Sequence, residues 1–430
     1  MHAFFYSHAS KSSMINRQYI QSFWRSNTKV AENYLFMTLL QVLNVCFYLF
    51  IYPFLIRTLG TEAYGLYAYA VALVAIFITF VSFGFDLPAA KRIAEHATDI
   101  EAKSTVLSEI TLSKLLLEII AVVIYCVLMY VSPLMRAHYV LFAVAFMQTV
   151  TNIVFPQWYF QGVQRMKVVT YVQVAFKFAS LPFIFWLIRT PDDVDIYMLI
   201  ATLTMLAGGM TAWIIIRKKD KIRFRLVPWT QVMAATKEAF PFFLSNATGI
   251  IKEQGVVLII GQLLGMSEVA IYDLANKIII IPRTVLCKLN DAIYPKMMTG
   301  VNVAYRRKVV WAEVCIGLGA IVMVAALGYW AVLLLGGEGL IAAYPVSVIL
   351  SVTVMTWLVA GALIYFYIIP SGKTYYITIN QIIAMIVTFL IAGVGLYITH
   401  NVYVLASALA VAGLAEIGFC TYVVYKNQLI

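Results

Sequence analysis

Twelve stretches of this 430-residue chain are each about twenty residues or longer, apolar and low in charge, and no other feature constrains its fold so strongly. A bilayer core of ~30 Å takes about 20 helical residues to cross. The stretches fall at about 33–56, 63–85, 108–132, 138–160, 167–188, 196–216, 239–264, 269–295, 309–335, 340–369, 375–398 and 402–425. Each is more than twice the length of a ~10-residue barrel strand, so the backbone must satisfy its own polar groups as helix. Composition closes the other routes. The chain is 63% hydrophobic and 12% charged, against roughly 25% charged in soluble proteins, and its 14% aromatic content excludes disorder. The expectation is an all-α integral membrane protein of twelve transmembrane helices. Almost no chain is left for an extramembrane catalytic domain.

A net charge of +11 raises nucleic acid or a membrane surface as partner, and the positions of the 31 basic residues decide between them. With the N-terminus inside, 22 of them lie in inside segments: Lys11 to Lys29, Lys91, Arg92, Lys103, Arg165, Lys167, the cluster Arg217–Arg225, Lys237, Lys296, Arg306–Lys308, Lys373 and Lys426. Only Arg57, Arg136 and Arg189 fall outside. Such a bias sets orientation, so both termini are expected in the cytoplasm, and the charge is mostly topology signal with added contact to anionic lipid. No nucleic acid partner is implied. Residues 1–29 lack the apolar core of a cleavable signal peptide, and Met14 competes with Met1 as the natural start. Cysteines 46, 126, 287, 315 and 420 are odd in number and sit in apolar runs, which gives neither a disulfide framework nor metal spacing.

The longest polar stretch, 217–238, divides the chain. At an offset of 205 residues, Leu59-Gly60 with Tyr67 matches Leu264-Gly265 with Tyr272, and Asp86 with Lys91 matches Asp291 with Lys296. Gly162 and Lys167 also find a looser echo in Gly372 and Lys373. The expected organisation is a cytoplasmic segment 1–29, a six-helix bundle 30–216, a basic linker 217–238 and a second six-helix bundle 239–430. Because six is even, the halves run in parallel topology.

Ionisable residues inside spans need a cavity or a partner, since each costs ~2.5–3.5 kcal/mol even on the insertion scale. In the eighth span Asp273, Lys277, Thr284, Lys288 and Asp291 share one helical face, with Asn276 and Arg283 flanking and Pro282 removing a mid-helix hydrogen bond. The seventh adds Lys252 and Glu253. The fifth adds Lys177 in line with Thr170, Gln173 and Ser180, and the third adds Lys114 and Glu118. Glu313 and Glu416 complete the set. Lys114 with Glu118 and Asp273 with Lys277 have i,i+4 spacing and are expected to pair locally. Lys177, Lys252 and Lys288 have no such partner and are the first candidates for a cationic lumen, with Lys114, Lys277 and Arg283 beside them. Glu253 and Asp273, with Asp291, Glu118 and Glu313, are candidates for coupling to a proton or sodium gradient.

Other motifs carry little. Asp192-Asp193-Val194-Asp195 reads as a helix cap, Asn246-Ala247-Thr248 lies inside a span, and Gly336-Gly337-Glu338-Gly339 is a turn without a P-loop lysine. No metal-ligand set, cofactor site or nucleophile constellation appears.

Three segments resemble the Wzx-type lipid-linked oligosaccharide flippases of the polysaccharide-transporter branch of the multidrug/oligosaccharidyl-lipid/polysaccharide exporter superfamily. They are Phe83-Gly84-Phe85-Asp86-Leu87-Pro88-Ala89-Ala90-Lys91-Arg92-Ile93-Ala94; Phe155-Pro156-Gln157-Trp158-Tyr159-Phe160-Gln161-Gly162; and Tyr272, Ala275, Lys277 and Ile278 through Tyr294-Pro295-Lys296. Asp86 and Gln164 depart from the family pattern. The resemblance implies a V-shaped pair of bundles alternating between inward- and outward-open states in a bacterial inner membrane. It also implies an undecaprenyl-diphosphate-linked oligosaccharide, moved to the periplasmic leaflet for O-antigen or a related polysaccharide, with a polysaccharide polymerase and chain-length regulator as partners. Trp158 and Tyr159 are expected at the membrane interface, with sugar stacking as the alternative. Two competing readings remain: a drug or cation exporter, which wants an acidic aromatic pocket, and a membrane-embedded polymerase or acyltransferase, which wants a long outside loop.

Overall fold

The computed structural model describes residues 3–298 and 302–427, with side chains described from Glu32 onward except at positions 34, 291, 292, 295, 296 and 298. Fourteen α-helices form among them and no strand: α1 Ala3–Ser82, α2 Asp86–Glu95, α3 Ile100–Val131, α4 Pro133–Ala137, α5 Tyr139–Val154, α6 Gln157–Gly162, α7 Met166–Leu187, α8 Val194–Lys219, α9 Trp229–Leu263, α10 Met266–Met298, α11 Val303–Gly336, α12 Ala343–Leu363, α13 Tyr375–Ile398 and α14 Val402–Lys426. Ten helical stretches among the described residues are long and apolar enough to cross a membrane. One of these, Leu35–Ser82, is 48 residues long and breaks at Gly60 (φ 76°) into two rods. The 33-residue α10, whose sequence carries seven charged residues, stands outside that set.

The helices pack in two groups. In the first, α1 meets α5 and α7, and α8 lies against both of those; in the second, α12 meets α10, α11 and α14, and α13 lies against α9 and α14. The repeat at offset 205 has a backbone basis. Gly60 and Gly265 (φ 104°) both adopt left-handed conformations that cost other residues strain, and each separates the first rod of its group from the second.

The groups meet beside those two glycines and again at the far end of the second rod. A Cβ on Gly65 would stand 1.8 Å from the Met266 carbonyl oxygen, and one on Gly261 would stand 2.3 Å from the Tyr69 ring. The Thr61 and Ser267 hydroxyls are 3.3 Å apart, and Gln262 Nε2 donates to Tyr69 Oη at 2.6 Å. At the opposite end of α1, Phe83 stacks on Phe243 of α9 with centroids 4.3 Å apart.

Two sequence expectations change. The fourth span is not continuous, because Pro156 offers no N–H and splits it into α5 and α6. The polar linker is mostly helix: α8 runs to Lys219 and α9 starts at Trp229. The remaining 220–228 is strapped to α3, where the Ser104 and Ser108 hydroxyls accept the N–H groups of Arg223 (3.3 Å) and Arg225 (2.8 Å). Asp193 stands at the start of α8 without capping that helix by its side chain, and closes instead the capping box of the short 3-10 turn Pro191–Asp193. Its carboxylate accepts the backbone N–H groups of Arg189 (2.9 Å) and Thr190 (2.8 Å), which hold it below the ordinary carboxylate range.

Two of the segments behind the resemblance pack on each other. Phe85, Ala89, Ala90 and Ile93 share one buried cluster with Trp158, Tyr159 and Phe160. Gly162 permits this: a Cβ there would stand 2.7 Å from the Ala90 carbonyl oxygen and 2.8 Å from Ile93. Gly162→Ala is therefore expected to cost about 1–3 kcal/mol by overpacking, read as a lower unfolding temperature in detergent. Gly319→Ala, where a Cβ meets nothing within 4 Å, is expected to leave that temperature unchanged.

Candidate functional site

Several adjoining cavities open inside the protein, the first of them walled by the first group alone and the others by both groups. One of about 600 Å³ is bordered by Asn44, Asp86, Asn152, Trp158, Gln161, Gln173 and Lys177. A second, of about 500 Å³, shares Asn44 and Tyr48 with it and adds Tyr52, Tyr64, Tyr67, Tyr197, Asp273, Asn276 and Lys277. A third, of about 520 Å³, shares Asp86 and Asn152 with the first and reaches Asn246 and Gln381. Smaller spaces of about 210 Å³, beside Lys252, Glu253 and Glu416, and about 370 Å³, between Gln41 and Lys288, extend the lumen.

The helical face read in α10 does line this lumen. Asp273, Lys277 and Thr284 border the 500 Å³ cavity, and Thr284 and Lys288 border the 370 Å³ one. Pro282 is buried within α10, while the side chains of Asp291 and Pro295 lie outside the described residues.

Most of the predicted cations face a carboxylate. Lys277 pairs with Asp273 as its i,i+4 spacing suggested, and Tyr64 completes the group across the interface: its hydroxyl donates to Asp273 at 2.7 Å and accepts from Lys277 at 2.8 Å. Lys252 is buried against Glu416 of α14. Arg283 donates to Glu253 at 2.9 Å and stacks 3.3 Å above the Trp357 ring.

Lys114 departs from expectation. It does not pair with Glu118 but reaches Asp86 at 2.9 Å and Asn152 at 3.4 Å, while Glu118 accepts from Thr149 at 2.5 Å. Asp86 sits where α1 turns into α2, directly opposite, so a nonlocal partner displaces the local one. The signature bases lie apart from the lumen: Arg92 forms a two-pronged pair with Glu109 (2.8 and 3.0 Å), and exposed Lys91 approaches Glu95 at 3.8 Å.

Lys177 differs from these. Its ammonium donates to the neutral Asn44 carboxamide at 2.7 Å and lies 5.0 Å from the Tyr48 ring and 5.4 Å from the Phe47 ring. Around it, Gln161, Gln173, Asn44 and Asn152 offer amide donors and acceptors. Trp158 is 3% exposed with one side on this cavity, and Tyr159 is fully buried with its hydroxyl donating to Asp220 at 3.0 Å. Neither forms an interfacial belt, because α6 turns inward after Pro156 and carries both into the core.

The polar stripe Gln41, Asn44, Tyr48 and Tyr52 on α1 was not singled out from sequence, although its spacing of three and four residues carries the signal.

A lumen bordered by two helix groups suits a carrier, and the chain is similar to known proteins. A model of the family described as "Polysaccharide biosynthesis protein" matches residues 30–301. The chain belongs to that family. Within its curated relatives, a "Putative O-antigen transporter" of Escherichia coli (strain K12) is 26% identical over 266 residues, covering 62% of this chain and 64% of the relative. One of the same name from Shigella dysenteriae is 26% identical over 270 residues, covering 62% and 67%. This chain thus spans about two-thirds of the length of those relatives. The fold is similar to that of a multidrug resistance MATE family transporter of the MOP superfamily in its inward-facing conformation, which superposes with a TM-score of 0.68 at 13% identity, over 89% of this chain and 95% of the other.

For this family member the buried pairs predict a stability pattern. Lys252→Ala strands Glu416 without a counter-ion and is expected to cost about 3–5 kcal/mol, read as loss of folded protein from the membrane. The double substitution Lys252→Met with Glu416→Leu is expected to restore abundance.

Proposed function

We propose that this protein moves an undecaprenyl-diphosphate-linked oligosaccharide, for O-antigen or a related surface polysaccharide, from the cytoplasmic to the periplasmic leaflet of a bacterial inner membrane. The rods 35–59 and 61–82 and α10 each cross, so the chain crosses twelve times with both termini cytoplasmic. The product passes to a polysaccharide polymerase and its chain-length regulator.

Lys177 carries this reading. Its charge is met only by an amide and aromatic rings among its described contacts. It faces a cavity of about 600 Å³ whose amides can hydrogen-bond sugar hydroxyls and whose Trp158 edge can pack on a sugar ring. A diphosphate supplies the missing counter-charge through charge-assisted hydrogen bonds, and the polyprenyl tail stays in lipid. The tyrosine cavity around Asp273 has the composition that would favour an organic cation. There, however, Lys277 already lies 5.2 and 5.5 Å from the Tyr52 and Tyr64 rings and neutralises Asp273, which weighs against a cation exporter. The transporter names of the relatives favour transport over polymerase or acyltransferase chemistry.

Movement proceeds by alternating access. The contacts at Thr61–Ser267, Gly65–Met266 and Tyr64–Asp273 are the closed periplasmic gate, and they part when the lumen opens outward.

In a host lacking this gene, Lys177→Gln is expected to lower surface polysaccharide roughly tenfold or more, the loss of one charged hydrogen bond of about 1.5–3 kcal/mol, at unchanged membrane abundance. Lys177→Arg is expected to keep most of it. Unchanged export by Lys177→Gln would remove Lys177 from the substrate path. Thr61→Cys with Ser267→Cys is expected to form a disulfide that arrests export until reductant is added; full export with the bond formed would show that this end does not open.

A further inference from the structure

Glu313 lies on α11 at 2% exposure, and both its carboxyl oxygens are buried with no hydrogen-bond partner. Asn290 of α10 stands beside it at 3% exposure. The Asn290 amide donates to the Leu358 carbonyl of α12 at 3.0 Å, which leaves its own oxygen buried and unmatched. Three acceptor oxygens without a donor thus lie on neighbouring residues where α10, α11 and α12 pack. An ionised carboxylate there, without a cation, is far more costly than a neutral acid.

We propose that Glu313 holds a proton, donated to Asn290 Oδ1, and that this pair is a proton-binding site of the transport cycle. One proton between the two groups satisfies an orphaned acceptor on each side. Among the described side chains, the charged groups of the surrounding helices are engaged elsewhere, line the cavity or are exposed, and those of Asp291 and Lys296 on α10 lie outside the described residues. On α10, Arg283 pairs with Glu253, and Arg283 and Lys288 line the 370 Å³ cavity for which Asn290 is a wall. On α12 the only ionisable side chain is Tyr344, whose hydroxyl donates to the Ala325 carbonyl. On α14, Glu416 is taken by Lys252. On α11 itself Arg306 donates to the Phe366 and Met297 carbonyls. The charged residues of α1 with described side chains, Glu32, Arg57 and Glu62, lie outside its apolar stretch 33–56. Asn290 thus links the acid to the cavity wall, and proton release requires α10 to shift against α11. The role in a cycle rests on the transporter reading; the protonation does not.

Infrared difference spectroscopy on the purified full-length protein in lipid nanodiscs reads the site without cargo. At neutral pH the carboxylic C=O band of a buried protonated acid is expected in the wild type and lost in Glu313→Gln. Asn290→Leu is expected to shift that band to higher frequency by removing its hydrogen bond, and this variant carries the test if Glu313→Gln does not accumulate. A wild-type spectrum without the band, or a band that Asn290→Leu leaves unshifted, overturns the proposal. Loss of the band when sodium chloride replaces choline chloride at fixed pH overturns it in favour of a sodium site. Because no oligosaccharide is present, failure here leaves the cargo assignment standing, and failure of the cargo assignment leaves the proton site standing.

Discussion

A lysine or arginine carried into hydrocarbon has to meet a counter-charge, and the way this chain meets that requirement organises its interior. Lys252 finds Glu416, Arg283 finds Glu253, Lys277 finds Asp273 and Lys114 finds Asp86. Each of these except Lys277–Asp273 ties together segments remote in sequence, so neutralisation also fixes which helices are neighbours. For Lys252–Glu416, buried on both sides, removing one partner leaves the other buried and bare, which is why such a pair breaks at higher cost than it contributes when intact.

The same rule gives the lumen its chemical division. Where pairs are complete, around Asp273 and Glu253, the walls are electrically quiet and the tyrosines of α1 and α8 pack closely. Where Lys177 meets only Asn44 and two aromatic rings, the wall keeps a positive charge among neutral amides. The Tyr64–Asp273–Lys277 group joins these functions. It neutralises a cation and at the same time bridges the two helix groups beside the close approach of Gly65 to Met266.

Much of this could be read from sequence, and the part that could not has a physical reason. Apolar runs locate the membrane rods because helix length must match bilayer thickness. The glycine pair at offset 205 marks the breaks because both positions need a left-handed backbone. The α10 stripe and the Asp273–Lys277 pair follow from helical spacing alone. In contrast, Lys252 and Glu416 are 164 residues apart, and nothing local distinguishes Asp86 from Glu118 as the partner of Lys114. Tyr48 and Tyr52 look like ordinary apolar filling until α10 is placed opposite them. The fourth span read as unbroken despite Pro156, and the burial of Trp158 and Tyr159 follows from the inward turn of α6, which packs against α2.

Reconstitution tests the central claim most directly. In vesicles holding an undecaprenyl-diphosphate-linked oligosaccharide and the purified protein, a membrane-impermeant glycosidase added outside is expected to reach lipid that began in the inner leaflet, so that cleavage approaches completion. Cleavage that stops at the outer-leaflet fraction, as in protein-free vesicles, while the protein is folded and both orientations are present, would contradict the account.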